Sequence, residues 1–336
     1  MKIIDIQFYY YKAPFHSPIT TPKVEMTHRK ALIVRFISDE GKNYFGECNA
    51  FETDWYDTET IETVKIRIQQ WSKKILNQSF NTFSDWLPYL DVLDSYPATR
   101  CTVVMAVYQM FYSQPCFNVE YGATVSGLSS SQLQTLKDTK PARIKLKWSS
   151  HLINDIKKLR NELPFEFSLA LDANESLDMS QFQLLKEIDQ HNLLYVEEPF
   201  KDLNDLSYID VTHYPAIAID EKATDVQSIL KIIHQYPITA VVVKPFRLGG
   251  IDRALELIHL LKEKDIKVIV GGMYEYGLSR YFTALLAKEG SYPGDITPDG
   301  YYFETDFTQG IGKLKEGLIY FNPPKININA LSVYEL

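Results

Sequence analysis

Short apolar runs alternate with amphipathic segments along the chain from about residue 118 onward. The segments between the runs place apolar residues at i, i+3 and i+4, the spacing of one helix face. Such strand-helix units predict parallel strands joined by right-handed crossovers, and eight of them predict a (β/α)8 barrel. The predicted strands are 121–127, 143–148, 167–174, 194–200, 216–223, 240–246 and 267–275, with a weaker eighth near 296–303.

The two ends of the chain have a different pattern. Three strand-like segments are followed by two segments with helical spacing, and after about residue 310 strand character returns without a helix. The strands are predicted at 2–11, 30–37 and 43–48, and the helices at 57–75 and 98–112. We therefore predict an α+β capping domain formed by residues 1–115 and 311–336, with the barrel formed by residues 116–310.

Composition narrows the class of partner. The 336 residues include 35 Lys plus Arg and 43 Asp plus Glu, a net charge of −8, which argues against nucleic acid or an anionic membrane. Cys48, Cys101 and Cys116 are too few for a disulfide framework, and no stretch of 18 apolar residues predicts a membrane span. We expect a cytoplasmic protein that acts on a small molecule. The sequence leaves its oligomeric state open, and a homo-oligomer is compatible with it.

Ionisable residues stand at the carboxyl ends of the predicted strands, mostly 23 to 25 residues apart. In a barrel these ends surround one mouth, where enzymes of this architecture build their active sites. The spacing therefore predicts that charged residues far apart in sequence lie together at the barrel mouth. The residues are Lys147, Asp172, Glu197, Asp220, Lys244 and Glu275.

The three carboxylates Asp172, Glu197 and Asp220 predict a metal site. Two carboxylates ~4 Å apart repel each other by roughly 4 kcal/mol at an effective dielectric of ~20, and a divalent cation removes that penalty. Oxygen donors without His or Cys suit Mg2+, with Mn2+ as an alternative. Glu275 is expected to be a partner of Lys244 rather than a further ligand.

The lysines predict acid–base chemistry beside that metal. The strand period of two places Arg143, Lys145 and Lys147 on one face, so Lys145 and Lys147 point into the barrel, and Lys244 enters from the opposite side. A cationic neighbour and a metal lower the pKa of a lysine toward the range of a general base. The set suits removal of a proton next to a carboxylate. Lys145 can serve instead as an ion-pair partner that tunes Lys147.

At these residues the sequence resembles the muconate-lactonizing subgroup of the enolase superfamily. That subgroup has Lys-x-Lys on the second strand, acidic residues on the next three and Lys on the sixth, which read here as KLK, LDAN, VEEP, IDEK and VVKP. The resemblance covers almost the whole chain, including GECNAFETDWY and GGMYEYGLSRYF. It implies a modified (β/α)8 barrel with an α+β capping domain. One departure is Tyr276, where the family usually has Ser.

The resemblance also implies a mechanism. Asp172, Glu197 and Asp220 would bind Mg2+, Lys147 would be the acid/base and Lys244 a stabilising cation. The implied reaction is syn dehydration of 2-succinyl-6-hydroxy-2,4-cyclohexadiene-1-carboxylate in menaquinone biosynthesis. Gly272, Met273 and Glu275 are candidate substrate contacts, as is the loop 49–56.

Three alternatives remain open at this point. Relatives with the same catalytic set racemise N-acylamino acids or epimerise dipeptides, which requires both lysines to transfer protons. A Schiff-base aldolase that uses Lys244 leaves the carboxylates unexplained. A non-catalytic, metal-stabilised scaffold would function without either lysine.

Overall fold

The computed structural model describes residues 1–21, 23–209 and 212–333. Its N-terminal part holds an antiparallel sheet in the order β14-β1-β2-β3. The strands are β1 (Ile3–Thr20), β2 (Glu25–Ser38), β3 (Asn43–Glu47) and β14 (Ser332–Val333). β1 is longer than the predicted strand 2–11, because it continues past a register irregularity between Pro14 and Ile19 and still pairs with β2.

Three helices pack beside this sheet, namely α1 (Ile61–Ser72), α2 (Leu87–Leu90) and α3 (Pro97–Phe111). α1 begins with a capping box in which Thr60 and Thr63 satisfy each other's backbone N–H groups. α3 begins at Pro97, whose missing N–H costs nothing in the first turn. Residues 98–107 of α3 are all buried, as expected for a helix covered on every side.

A curled sheet of seven parallel strands follows in chain order, from β5 to β11. Its strands are β5 (Gly122–Val125), β6 (Arg143–Lys147), β7 (Ser168–Asp172), β8 (Leu193–Glu197), β9 (Ile217–Ile219), β10 (Ala240–Val243) and β11 (Lys267–Val270). Its helices are α4 (Ser130–Thr139), α5 (Leu152–Glu162), α6 (Phe182–Ile188), α7 (Val226–Gln235), α8 (Pro245–Leu248), α9 (Ile251–Glu263) and α10 (Gly277–Ala287). This is the predicted fold class, a modified (β/α)8 barrel with an α+β capping domain.

The eighth strand predicted near 296–303 is wrong. Its position beside β11 is taken by residues 291–295, where the backbone N–H groups of Ser291 and Asp295 donate to carbonyls of β11. Only Asp295 forms a bridge, with Gly271. Pro293 has no N–H, so the segment cannot form a regular ladder. The arginine of β6, Arg143, reaches the Gly294 carbonyl from the other side at 3.5 Å and so spans the gap.

Side chains inside the barrel form a small core of their own. Its members are Ala170, Tyr195, Ala218, Ala240, Val242 and Ile269. Arg143 and Lys145 of β6 are also buried, whereas Ile144 and Leu146 belong to the main core with the helices. The predicted alternation of β6 is therefore confirmed.

The remaining strands form a third sheet. β4 (Phe117–Glu120) pairs with β13 (Leu318–Phe321), which pairs with β12 (Lys313–Lys315). This sheet pairs β4, which directly precedes the first strand of the seven-stranded sheet, with residues after 310, while β14 pairs with β1. The domain boundaries stay a prediction. Across the ranges that the structure describes, no helix is both long and apolar enough to cross a bilayer.

Candidate active site

Three acidic side chains lie at the carboxyl ends of neighbouring strands. Asp172 ends β7 and Glu197 ends β8, and the two are paired in register. Asp220 directly follows β9. All three are buried. The geometry of a parallel sheet therefore brings together the carboxylates predicted from their spacing.

Each carboxylate is paired with a lysine from the predicted set. The distance from Lys147 Nζ to Asp172 Oδ2 is 2.7 Å, and that from Lys244 Nζ to Asp220 Oδ2 is also 2.7 Å. Lys145 Nζ lies 2.9 Å and 3.1 Å from the two oxygens of Glu197. Within the described residues no three His, Cys, Asp or Glu side chains are grouped to hold a metal ion. The carboxylates are turned toward cationic groups instead.

These pairings set the direction of the pKa shifts. Burial raises the pKa of Glu197 to about 8, although Lys145 opposes that shift. Burial also favours the neutral form of Asp220, but Lys244 and Arg247 hold its pKa below the ordinary value. Burial acts to lower the pKa values of Lys145 and Lys244, yet carboxylates raise both overall, Lys145 well above its usual range. The lowering expected from a cationic neighbour and a bound metal stays a prediction.

Exposure separates the two lysines of β6. The Lys147 side chain is 39% exposed, and that of Lys145 is 5% exposed. Asn174 supports Lys147, with its Oδ1 3.2 Å from Nζ, and donates to Asp172 Oδ1 at 2.6 Å. Both lysines are ion-paired, but only Lys147 is exposed enough to meet a ligand in the mouth.

Arg247 belongs to the site, but its role was not predicted. It follows Lys244 by three residues, within the one-turn helix α8, and its Nη1 lies 2.9 Å from Asp220 Oδ1. The Arg247 Nε donates to Tyr56 Oη at 2.8 Å. Because Tyr56 lies in the predicted loop 49–56, this loop reaches the barrel mouth through Arg247.

Glu198 and Lys222 form a second layer behind Asp220. Glu198 Oε2 accepts the Asp220 backbone N–H at 2.8 Å, and Lys222 Nζ lies 2.6 Å from Glu198 Oε1. Burial raises the pKa of Glu198 despite the bond to Lys222. The pair holds the strand end that carries Asp220. The sequence indicated this pair only through the adjacent charged residues in VEEP and IDEK. A sequence does not show which of two adjacent charged side chains points into the barrel.

Glu275 does not have the predicted partner. Its Oε1 accepts hydrogen bonds from Asn49 Nδ2 at 3.0 Å and from Ser279 and Thr283 hydroxyls at 2.7 Å each. Burial raises its pKa, against those hydrogen bonds. The expectation that Glu275 pairs with Lys244 is wrong, because α10 and Asn49 of the loop 49–56 supply its donors.

Gly272 and Met273 lie just beyond β11 and are partly exposed. A Cβ at Gly272 would lie 2.0 Å from Glu275 Oε2, so the absence of a side chain there lets Glu275 pack against the backbone. No contact tests their predicted role as substrate contacts. That role stays a prediction.

Tyr276 points away from the mouth. Its hydroxyl donates to the Arg29 carbonyl at 2.6 Å and accepts the Ala13 backbone N–H at 2.9 Å. These groups belong to β1 and β2. Tyr276, at the position where the resemblance led us to expect serine, therefore joins the barrel to the N-terminal sheet.

The fold and this cluster of strand-end charges define an enzyme-like barrel of the enolase type, and the comparisons agree. Residues 130–323 match the model of the enolase C-terminal domain-like family, and the chain belongs to that family. Solved enolase superfamily structures share its fold over nearly the whole chain. A member from Listeria innocua has a TM-score of 0.83 at 23% identity, covering 99% of this chain and 95% of that one.

Two curated relatives extend over most of the chain. An o-succinylbenzoate synthase from Bacillus subtilis is 28% identical, covering 92% of this chain and 87% of the relative. An N-succinylamino acid racemase from Thermus thermophilus is 26% identical, covering 87% of this chain and 85% of the relative. A dipeptide epimerase from Enterococcus faecalis, solved with Mg and the dipeptide L-Leu-L-Tyr, has a TM-score of 0.80 at 20% identity, covering 99% and 100%.

Proposed function

We propose that the protein is an o-succinylbenzoate synthase, which dehydrates 2-succinyl-6-hydroxy-2,4-cyclohexadiene-1-carboxylate to 2-succinylbenzoate in menaquinone biosynthesis. The observation that carries the proposal is the placement of an accessible Lys147 and a buried Lys244 on strands that flank three acidic strand ends. The relative of that name matches over 92% of the chain. Lys147 is the proposed acid/base, and Lys145 its neighbour on the same strand face.

Asp172, Glu197 and Asp220 would hold Mg2+ or Mn2+. Their chemistry fits, because three carboxylates without nitrogen or sulfur donors are the set that a hard divalent cation prefers. When bound, the ion would offset the negative charge that develops on the substrate carboxylate as the neighbouring proton leaves.

Lys147 would move the proton. Its neutral amine takes the proton alpha to the carboxylate, and the resulting ammonium returns it to the departing hydroxyl on the same face. The electrons of the C–H bond form the new C=C bond as the C–O bond breaks, so water leaves and Lys147 is neutral again. One residue thus acts as base and then as acid.

Lys244 would remain a cation throughout. Its side chain is 9% exposed and bound to Asp220, which raises its pKa against the effect of burial. A fixed, buried ammonium favours the negatively charged intermediate by Coulomb attraction. The same features disfavour a Schiff base at Lys244, because that reaction needs a neutral amine.

The second candidate is an N-succinylamino acid racemase or dipeptide epimerase. The presence of both Lys147 and Lys244 favours it, since racemisation needs a proton donor on each face of the substrate. The burial of Lys244, whose side chain is 9% exposed against 39% for Lys147, favours dehydration instead. In either case the substrate is a small carboxylate.

A Mg2+-dependent assay for aromatic product tests the proposal. Lys147→Ala should lose at least a thousandfold in kcat while folding normally, and Lys267→Ala, an exposed lysine paired with Asp265, serves as the control. Full turnover in the Lys147 variant would overturn the assignment of the base. Deuterium exchange at the alpha carbon of N-succinylamino acids and dipeptides tests the second candidate.

A further inference from the structure

A fourth carboxylate, that of Asp295, lies at the barrel mouth. It ends the irregular segment 291–295 beside β11, where its backbone N–H donates to Val270 O at 2.9 Å. The Asp295 side chain is 19% exposed and points across the gap toward β6. Asp295 therefore stands at the end of the eighth segment of the barrel, as Asp172, Glu197 and Asp220 stand at the ends of β7, β8 and β9.

Lys145 is enclosed by acceptors from two sides. Asp295 Oδ2 lies 2.8 Å from Lys145 Nζ, and Glu197 supplies the other two oxygens. An ammonium group has three hydrogens to donate, so these contacts satisfy it completely. Asp295 is the part of this arrangement that does not belong to the proposed metal set.

Asp295 is itself held in place by Arg143. Its Oδ1 accepts from Arg143 Nη2, while Arg143 Nη1 donates to Tyr195 Oη at 2.8 Å. Both Arg143 and Tyr195 are fully buried inside the barrel. The positive charges of Arg143 and Lys145 are thus balanced by Asp295 and Glu197. Asp295 bonds to both cations.

We propose that Asp295 is a positioning residue for Lys145. It anchors the Lys145 ammonium on the eighth-position side of the barrel, so that Glu197 can turn to a metal ion without leaving a buried ammonium unpaired. Without Asp295, Lys145 would retain Glu197 as its sole carboxylate and compete with the metal, because an unpaired buried charge is strongly unfavourable. The competition with a metal ion rests on the proposed function, whereas the positioning of Lys145 does not.

The positioning is tested on metal-free protein by NMR of lysines labelled at the ε nitrogen. The buried Lys145 ammonium should give a slowly exchanging signal, assigned by its loss in Lys145→Gln. Asp295→Asn should shift or broaden that signal, and Asp252→Asn, which alters another Arg–Asp pair, should not. An unchanged Lys145 signal in Asp295→Asn overturns the proposal.

Calorimetric titration with Mg2+, without substrate, tests the consequence for Glu197. Asp295→Asn should raise the dissociation constant at least tenfold, and Asp252→Asn should change it less than twofold. In a Lys145→Gln background Asp295→Asn should have at most a threefold effect, because the residue acts through Lys145. An equal effect in both backgrounds shows that the charge of Asp295 acts directly and overturns the proposal.

Two further outcomes keep the test decisive. A wild-type protein that binds no Mg2+ contradicts the proposed function, while the NMR comparison still decides the positioning. Where Asp295→Asn does not fold, Asp295→Glu keeps the charge and moves the carboxylate by one methylene. A shifted Lys145 signal in that variant supports the proposal, and an unchanged signal counts against it.

Discussion

Tyr276 shows how one residue can be important without touching the reaction. Its ring lies among Tyr11, Phe303 and Phe307, and its hydroxyl bridges β1 and β2. From the sequence alone, Tyr276 was only a departure from the serine that the resemblance led us to expect. The structure places that bulk in the contact with the N-terminal sheet.

Tyr276→Phe should lower the free energy of unfolding by about 1–3 kcal/mol, because it leaves the buried Arg29 carbonyl and Ala13 N–H without a partner. Urea unfolding measures this. Tyr208→Phe, on a side chain that is exposed, should change stability by less than about 0.5 kcal/mol. Equal stability of the two variants would show that the bridge is not important.

Glu47 gives stability a pH dependence. Its carboxyl accepts the backbone N–H groups of Tyr276 and Ser279 at 2.8 Å each, and burial raises its pKa to about 8 despite these bonds. The unfolded chain releases this proton at lower pH than the folded protein. Between pH 4.5 and 8 the free energy of unfolding should therefore fall as pH rises, by at most about 1.4 kcal/mol per pH unit from this group.

Glu47→Gln should flatten that part of the profile, since the amide does not ionise. Urea unfolding of both proteins across this pH range measures the difference. Glu25→Gln, at an exposed position, is the control and should follow the wild-type profile. Parallel profiles for wild type and Glu47→Gln would contradict the prediction.

Among the site residues, the sequence was informative where a side chain stands at the end of a regular strand, because strand period and strand end then fix its direction. This rule located Asp172, Glu197, Asp220, Lys147 and Lys244. Their roles in metal binding and proton transfer stay predictions. The partners of Glu275 and the place of Asp295 did not follow from the rule, because each depends on an irregular backbone beyond a strand.

At the scale of elements, the eighth position is where the regular pattern ends. The segment 291–295 runs beside β11 but contains Pro293 and the close-packed Gly294. The more apolar stretch that follows attracted the strand prediction. The periodicity of apolar residues could not locate this segment, because no repeating sequence pattern holds it. It is held by two backbone hydrogen bonds to β11 and by the contacts of Arg143.

Gly294→Ala tests this packing, since its Cβ would lie 2.5 Å from the Val270 carbonyl oxygen. Relieving the clash should cost about 1–3 kcal/mol of stability and displace Asp295, with a fall in kcat. Urea unfolding and the dehydration assay measure these effects. Gly41→Ala, in an exposed turn at φ +76° with nothing within 4 Å, should cost stability but leave kcat unchanged. A fully active Gly294→Ala variant would argue against a connection between the packing of Gly294 and the position of Asp295.

At the scale of the molecule, repeated strand-helix units were enough to predict the barrel, since each unit adds beside the last one. The attachment of the N-terminal part was not predictable in detail, because its contacts join residues far apart in sequence. Arg100 of α3 is the main polar example. It is 1% exposed, reaches Gly249 O at 2.7 Å, and forms bonds of 2.9 Å and 2.8 Å with Asp252.

Arg100→Leu should lower the free energy of unfolding by about 3–5 kcal/mol, because it leaves the Asp252 carboxylate partly buried and unpaired. Scanning calorimetry should show a broader or split transition. Arg253→Leu removes a more exposed pair with Asp94 and should cost less than about 1 kcal/mol. A sharp transition at the wild-type temperature in Arg100→Leu would contradict this account.

The location of Asp295 has a consequence for protein synthesis. The strands β5 to β11 lie side by side in the order in which they occur in the chain. A growing chain can therefore pair each strand with the preceding one as it emerges from the ribosome. Such a nascent chain presents Asp172, Glu197 and Asp220 before it contains the carboxylate that pairs with Arg143 and Lys145. The set of charges at the barrel mouth is thus completed only once residue 295 has been synthesised, and a chain that stops before it carries an incomplete set.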